Sequence, residues 1–423
     1  MSMIKTHILK NGLKVVSVPS LTNNLVTILV LISVGSRYED KETNGISHFL
    51  EHMLFKGTTK RPDYLSVAKI LDKIGGECDA FTGEEYTGYY VKVESKNIDI
   101  AIDWASDIFF NSLIPEKEII KEKEVILEEI NMYSDTPSDH IAYLWKKLLY
   151  GNQPWGWPIT GTKSSIKKFN RGDLLKFKNK HYNSSQVVVC VAGKFDEKKV
   201  LVKLERCFSN IKKGKDFKKN RVIDSQSSPR ILVETDNTDQ THIYLGVRGY
   251  NLFHKDRYAL QVLSALLGEM MSSRLFMLLR ENLGFSYYVS SLIEMNPENG
   301  FLAVRAGIDN NDVHNAIKEI LSEFKRLSSI KVSKEELERA KDYIRGKTIV
   351  NLESSDATAS FYGIQSLLEK RITDREDFLK NIDKVTSDDI LRVTKDIFVK
   401  DKLNLALIGP FKEVEFKELL DRF

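Results

Sequence analysis

Within five residues, His48-Phe-Leu-Glu51-His52, the chain sets two imidazoles and a carboxylate that could hold a metal ion and move a proton. In an α-helix, residues four apart share a face, so His48 and His52 can both turn toward one metal. Glu51, one residue off that register, can reach a water beside it. The order His-x-x-Glu-His inverts the commoner His-Glu-x-x-His, and both orders are signatures of metal-assisted hydrolysis. A solitary helical histidine is usually a surface group or a satisfied core group. Two histidines with an acid between them, in an otherwise apolar helix, are costly to bury unless something satisfies them. Zinc in a hydrolytic site takes three protein ligands and leaves a fourth position open, so one more ligand is required. Glu122 and Glu129 stand seven residues apart and share a helix face beside Ile119, Ile126 and Ile130. The same stretch carries Glu116, Glu118, Glu124 and Glu128, most of which must form a solvated face, and spacing alone leaves the choice open.

The elements around these residues follow from periodicity. Ile46, Phe49, Leu50, Met53 and Leu54 recur at i, i+3, i+4, i+7 and i+8, which predicts a helix with Asn44 as N-cap and Gly57 as stop. A second helix is expected from Tyr64 to Ile74, closed by Gly75-Gly76, and two strands from Cys78 to Val93 around Thr82-Gly83-Glu84. Helices follow over 97–111 and, after Pro115 in the favoured first-turn position, over 116–133. Upstream, Gly12 to Ser36 reads as a strand hairpin around Asn23-Asn24, and Leu25 to Val34, apolar on both faces, belongs in the middle of a sheet. Strands mixed with helices in this way predict an α+β layer arrangement.

The second half repeats the first. Asp173-Leu-Leu-Lys followed by 187–195 has a counterpart in Asp389-Ile-Leu-Arg followed by 403–411, at the same offset of 216 residues. We therefore expect two homologous domains, 1–218 and 219–423, with the boundary in the stretch from Lys212 to Ser228. Each should be a mostly antiparallel sheet with helices packed on one face. In the second copy the motif positions fall in Val262-Leu-Ser-Ala-Leu-Leu267, which holds no ligating group. A His/Glu set needed only to hold the fold would recur in both copies, so its confinement to the first marks a special role.

Composition excludes several classes. The net charge is +4, and the basic run from Lys212 to Arg221 carries one aromatic, Phe217, so a nucleic-acid surface is not expected. The three cysteines, Cys78, Cys190 and Cys207, have no metal-type spacing and no even count, which fits a reducing compartment. The first residues lack the apolar core of a signal peptide, and the run from Leu25 to Val34 is half the length of a membrane span. A cytoplasmic protein without a membrane segment is expected.

Gly45-Ile-Ser-His-Phe-Leu-Glu-His-Met-Leu-Phe-Lys-Gly-Thr58, with Glu122 and the later Val125-Ile-Leu-Glu-Glu129, resembles the pitrilysin and insulin-degrading-enzyme family, closest to its mitochondrial-processing-peptidase-like branch. The resemblance covers nearly the whole chain. It implies a zinc metalloendopeptidase with one zinc per chain, held by His48, His52 and Glu129, with Glu51 as general base and Glu122 behind a ligating histidine. Asp79-Ala-Phe-Thr82 and Glu85-x-Thr-x-Tyr-Tyr90 resemble the family's substrate-edge strand, apart from Asp79 where asparagine is usual. Arg280-Glu-x-x-Gly-x-x-Tyr287 resembles its arginine/tyrosine pair, which contacts substrate near the scissile bond. The expected substrates are short unfolded peptides added as a strand near Asp79 to Thr82. Family members enclose the peptide in a chamber built from two such halves, and because this chain carries both motifs, a homodimer is expected. The alternative is a non-catalytic core or assembly subunit of the same fold.

Overall fold

The computed structural model describes residues 4–21, 23–214, 221–369 and 371–423. The chain forms two compact units: Met1–Asn131 with Pro158–Lys219 and Ile349–Asp374, and Met132–Trp157 with Asn220–Thr348 and Arg375–Phe423. The change of unit at 219/220 falls in the expected linker, of which residues 215–220 lie outside the described residues. A linear division at 218/219 does not describe the folded units, because each half of the chain gives one segment to the other unit.

The first unit holds a six-stranded sheet of β1 (Lys5–Ile8), β2 (Lys14–Pro19), β3 (Leu25–Ile32), β4 (Glu77–Thr82), β5 (Thr87–Glu94) and β6 (Val187–Gly193), in the order β1-β2-β6-β3-β5-β4. The second holds five strands, β7 (Arg230–Thr235), β8 (Gln240–Arg248), β9 (Ser286–Met295), β10 (Gly300–Asp309) and β11 (Leu403–Gly409), ordered β7-β11-β8-β10-β9. The two orders superpose strand for strand once β1 is set aside. In each, one parallel pair, β2 with β6 and β7 with β11, interrupts an otherwise antiparallel sheet. The expected hairpin from Gly12 to Ser36 does not form. Instead β6 enters between β2 and β3, parallel to the first and antiparallel to the second. Local turn residues suggested the pairing, but a strand from far along the chain outcompetes it.

The helices are α1 (Ile46–Leu54), α2 (Tyr64–Asp72), α3 (Ile98–Asn111), α4 (Glu116–Ser134), α5 (Pro137–Tyr150), α6 (Lys163–Lys168), α7 (Arg171–His181) and α8 (Glu197–Cys207). The second half adds α9 (Arg257–Ser264), α10 (Val313–Ser329), α11 (Lys334–Asn351), α12 (Ser355–Leu368), α13 (Arg375–Asp383), α14 (Ser387–Ile397) and α15 (Val414–Asp421). Among the described residues, no helix is long and apolar enough to cross a membrane.

Strand β3 explains why its sequence is apolar on both faces. Val26, Ile28, Val30 and Ile32 point into the core shared with α1 and α3, while Leu29 and Leu31 point the other way, into a smaller core with Ala359 and Tyr362 of α12. Thr27 on that second face meets Ser355 at 2.8 Å. The expected layer of helices on one face is present, and the opposite face carries one helix more, the segment that the second half contributes. The second unit mirrors this. Tyr244 of β8, Phe301 of β10 and Ala406 of β11 pack with Ile141, Leu144 and Trp145 of α5, which comes from the first half.

Candidate metal centre

Helix α1 buries Ile46, Phe49, Leu50, Met53 and Leu54, each no more than 1% exposed, as its periodicity requires. That leaves His48, Glu51 and His52 on the opposite side. Helix α4 is seated by buried Ile119, Ile126 and Leu127. It starts after Ile114, a non-glycine residue at φ 47°, where the Arg171 guanidinium donates to the carbonyls of Leu113 at 3.1 Å and Ile114 at 3.0 Å. Those bonds and the complete burial of Ile114 hold a backbone conformation that a β-branched residue rarely adopts.

The two helices bring His48, His52 and Glu129 together, with one potential ligand atom from each lying within 4.8 Å of the others. The Nε2 atoms of His48 and His52 are 3.3 Å apart. Glu129 sets Oε1 3.5 Å from His48 Nε2 and Oε2 3.7 Å from His52 Nε2. Tetrahedral zinc with bonds of about 2.0–2.2 Å requires ligand atoms roughly 3.3–3.6 Å apart, a spacing that two of these separations meet and the 3.7 Å one slightly exceeds, so the donors come close to what the ion needs. Their chemistry fits as well. Burial, with a smaller contribution from His52, pushes the His48 imidazole down to about 3, so it is unprotonated at neutral pH.

Glu122, seven residues before Glu129, lies behind the triangle. Its Oε2 is 3.0 Å from His52 Nδ1, and Lys56 Nζ donates to its Oε1 at 2.5 Å. Burial raises this carboxyl, but the hydrogen bonds from His52 and Lys56 outweigh it and hold Glu122 below the usual carboxylate range. A carboxylate only accepts, so Nδ1 of His52 carries the proton and the Nε2 lone pair is directed at the site. His48 has no such support: its Nδ1 is buried without a partner among the described residues.

Glu51 accepts a hydrogen bond from the hydroxyl of Thr82, at the end of β4. Burial raises the Glu51 carboxyl and the Thr82 bond opposes that rise. Burial likewise raises Glu129. Glu51 is thus held beside the donor triangle by a strand, with a proton affinity shifted in the direction a base needs. The sequence pattern puts Thr82 in a turn and the family resemblance puts it in a substrate-edge strand; neither makes it a partner of Glu51, and neither singles out Lys56. Lys56 lies four residues past His52, in the bend that follows the end of α1 at Leu54. Asp79 is exposed on β4, its Oδ1 accepting from the Ala80 amide at 2.8 Å. Arg280 and Tyr287 belong to the second unit and not to the group assembled by α1 and α4. There the Arg280 guanidinium lies 4.9 Å from the centre of the Phe276 ring, and Tyr287, on β9, is 66% exposed.

Two imidazoles and a carboxylate, with a further carboxylate alongside, are donors of the kind that zinc takes in hydrolytic sites, and they stand on a duplicated α+β fold. Two family models match the chain: the insulinase (peptidase family M16) model over residues 14–163, and the peptidase M16 inactive-domain model over residues 168–344. The chain is 34% identical over 409 residues to YmxG of Bacillus subtilis, named an uncharacterized zinc protease, covering 96% of this chain and 98% of that one. It is 35% identical over 403 residues to an uncharacterized zinc protease of Rickettsia felis, covering 95% and 96%. A crystal structure of a Helicobacter pylori protease superposes with a TM-score of 0.91 at 25% identity, over 97% of this chain and all of that one. A chain of complex III2 from Candida albicans shares the fold at a TM-score of 0.84 and 19% identity, over 97% of each. The chain belongs to peptidase family M16. The second matched segment begins at residue 168, inside the expected first copy, and it contains Val262–Leu267, the second-copy motif positions that hold no ligating group.

Proposed function

We propose that the chain is a zinc metalloendopeptidase that hydrolyses peptide bonds in short unfolded peptides. The observation that carries this reading is the donor triangle of His48, His52 and Glu129 with Glu51 beside it. A zinc ion held there supplies Lewis-acid chemistry, activating water and polarising a carbonyl. Glu51 takes the proton from the attacking water and returns one to the leaving amine, and Thr82 fixes the carboxylate in reach. Glu122 holds His52 in one tautomer and orientation. Arg280 and Tyr287 are proposed, from the family resemblance, to grip the substrate and to donate to the developing oxyanion. The edge position of β4 supports a substrate added as a further strand near Asp79 to Thr82, a mode that reads backbone more than side chains. We further propose that the working form is a cytoplasmic homodimer that closes a chamber around the peptide, with one zinc in each chain. A stable monomer with full activity would count against the dimer.

A non-catalytic subunit of the same fold is disfavoured by the complete His/Glu set, since structural likeness to a complex III chain concerns the fold alone. The deciding experiment is Glu51→Gln with metal analysis and a quenched peptide substrate. Zinc should remain near one per chain while cleavage falls on the order of 10²–10⁴-fold. Cleavage at the native rate would remove Glu51 from the mechanism. Loss of native activity on chelation, and its return with zinc, should accompany this result.

A further inference from the structure

Helix α1 has no capping side chain of its own. Its N-cap is Gly45, at φ 94°, and the expected cap, Asn44, turns its amide outward as a donor to Glu39 Oε2 at 3.2 Å and to the Pro158 carbonyl at 3.0 Å. The first amides of a helix need acceptors from elsewhere when the local sequence supplies none. Here the acceptor comes from six residues before the cap. Glu39 Oε2 accepts from the Gly45 amide and Oε1 from the Ser47 amide, both at 2.8 Å. Its side chain is buried, and a carboxylate at this end of a helix also complements the helix dipole. Burial pushes the Glu39 carboxyl up to about 7 against the opposing pull of its donors.

Glu39 is itself held by the turn before it. The amides of Ser36 and Arg37 donate to the carbonyls of Gly83 and Glu84, each at 3.1 Å, and the Arg37 guanidinium pairs with the Glu85 carboxylate in a buried ion pair. Gly35 lies so near the Gly83 carbonyl oxygen that an added Cβ would come within 2.1 Å of it. Residues 83–85 belong to the hairpin whose strand β4 ends in Thr82, the partner of Glu51. One short segment, 35–39, therefore touches both the start of the helix that bears the donors and the hairpin that restrains the base.

We propose that Glu39 is a positioning residue for the metal site: by capping α1 from outside it fixes the first turn, and with it the direction of His48, one residue beyond Ser47. Metal sites tolerate displacements of only about 0.5 Å, whereas uncapped first turns fray. This inference rests on the zinc-peptidase reading and adds to it a residue that touches neither metal nor substrate. The test compares Glu39→Gln and the milder Asn44→Ala with the wild type. Zinc dissociation constants are read by chelator competition, and kcat and KM are measured separately on saturated enzyme. Thr386→Ala, which removes the cap of α14 in the other unit, serves as a stability control. Glu39→Gln should weaken zinc binding on the order of tenfold and lower kcat with KM within about twofold, the size of effect typical of residues supporting a metal ligand. Asn44→Ala should move both in the same direction by less. The control should lower Tm and leave zinc affinity unchanged. Native zinc affinity and kcat in Glu39→Gln, or in Asn44→Ala if the former does not fold, would overturn the proposal. A wild type that binds no zinc would instead overturn the zinc reading.

Discussion

Glu122 can affect the metal only through His52, so its contribution should separate from that of Glu51. Replacing Glu122 with Ala removes the acceptor of His52 Nδ1 and leaves Lys56 Nζ without its carboxylate. We expect zinc affinity to fall roughly 10–100-fold, with activity largely restored by excess zinc, whereas Glu51→Gln should keep its zinc and stay inactive. Chelator competition and a zinc titration of activity check this, and an affinity within twofold of native would refute it. These roles differ in how far the sequence reveals them. His48, Glu51 and His52 are legible because a helix of known phase fixes which side chains share a face. Glu129 is not, since six acids on one helix satisfy spacing arguments almost equally, and only packing of Ile119, Ile126 and Leu127 decides which of them face inward. Thr82 and Lys56 are harder still, because the contact of Thr82 crosses from a strand to a helix and that of Lys56 from the bend after α1 to α4.

At the scale of elements, the helix bearing the motif begins where two glycines meet back to back. A Cβ on Gly45 would lie 2.7 Å from Gly161 Cα and 2.8 Å from the Thr160 carbonyl oxygen, and a Cβ on Gly161 would lie 2.6 Å from the Asn44 carbonyl oxygen. Both glycines also have positive φ, 94° and 78°. Gly45→Ala therefore combines an unfavourable conformation with a clash against backbone, and should destabilise the protein by at least about 1–2 kcal/mol. Denaturant midpoints and zinc content of the folded fraction report it, and an unchanged midpoint would show that the junction yields. Helix existence here was legible from the apolar repeat. The identity of the cap was not, because Asn44 has the right chemistry and the wrong orientation. The hairpin expected from Gly12 to Ser36 is absent for a related reason. Turn residues at Asn23-Asn24 describe where the chain bends, and they do not determine which strand arrives between β2 and β3.

Over the whole molecule, the duplication was legible from two short matches, while the reciprocal exchange of α5 and α12 left no mark in either. Their apolar faces look like those of any core helix, and nothing local says which sheet they cover. A fragment ending at residue 218 would leave the β3–β6 face that packs on Ala359 and Tyr362 bare. Such a fragment should be insoluble or unfolded alone, and should gain structure when a peptide spanning 349–374 is supplied, as followed by circular dichroism. A fragment that folds cooperatively without the peptide would contradict this. His181 of the first unit should contribute to acid sensitivity. Burial, with a smaller contribution from Lys180, pushes the His181 imidazole from 6.5 down to about 4. Between those values the unfolded chain takes up a proton that the folded chain refuses, so the contribution of neutral His181 to stability is full above pH 6.5 and is lost as pH falls toward 4. His181→Phe, if it folds, should show a flatter urea midpoint over that interval, and an equal slope would argue against the assignment. The exchanged helix finally bears on the timing of synthesis. The first unit cannot close its second face until Ile349–Asp374 has been made. At ribosomal speeds of about 5–20 residues per second, that comes roughly 9–36 s after its other strands are complete. During that interval the apolar face of the six-stranded sheet that later packs on α12 is exposed, so the nascent chain, more than the finished protein, should be the form that binds a chaperone.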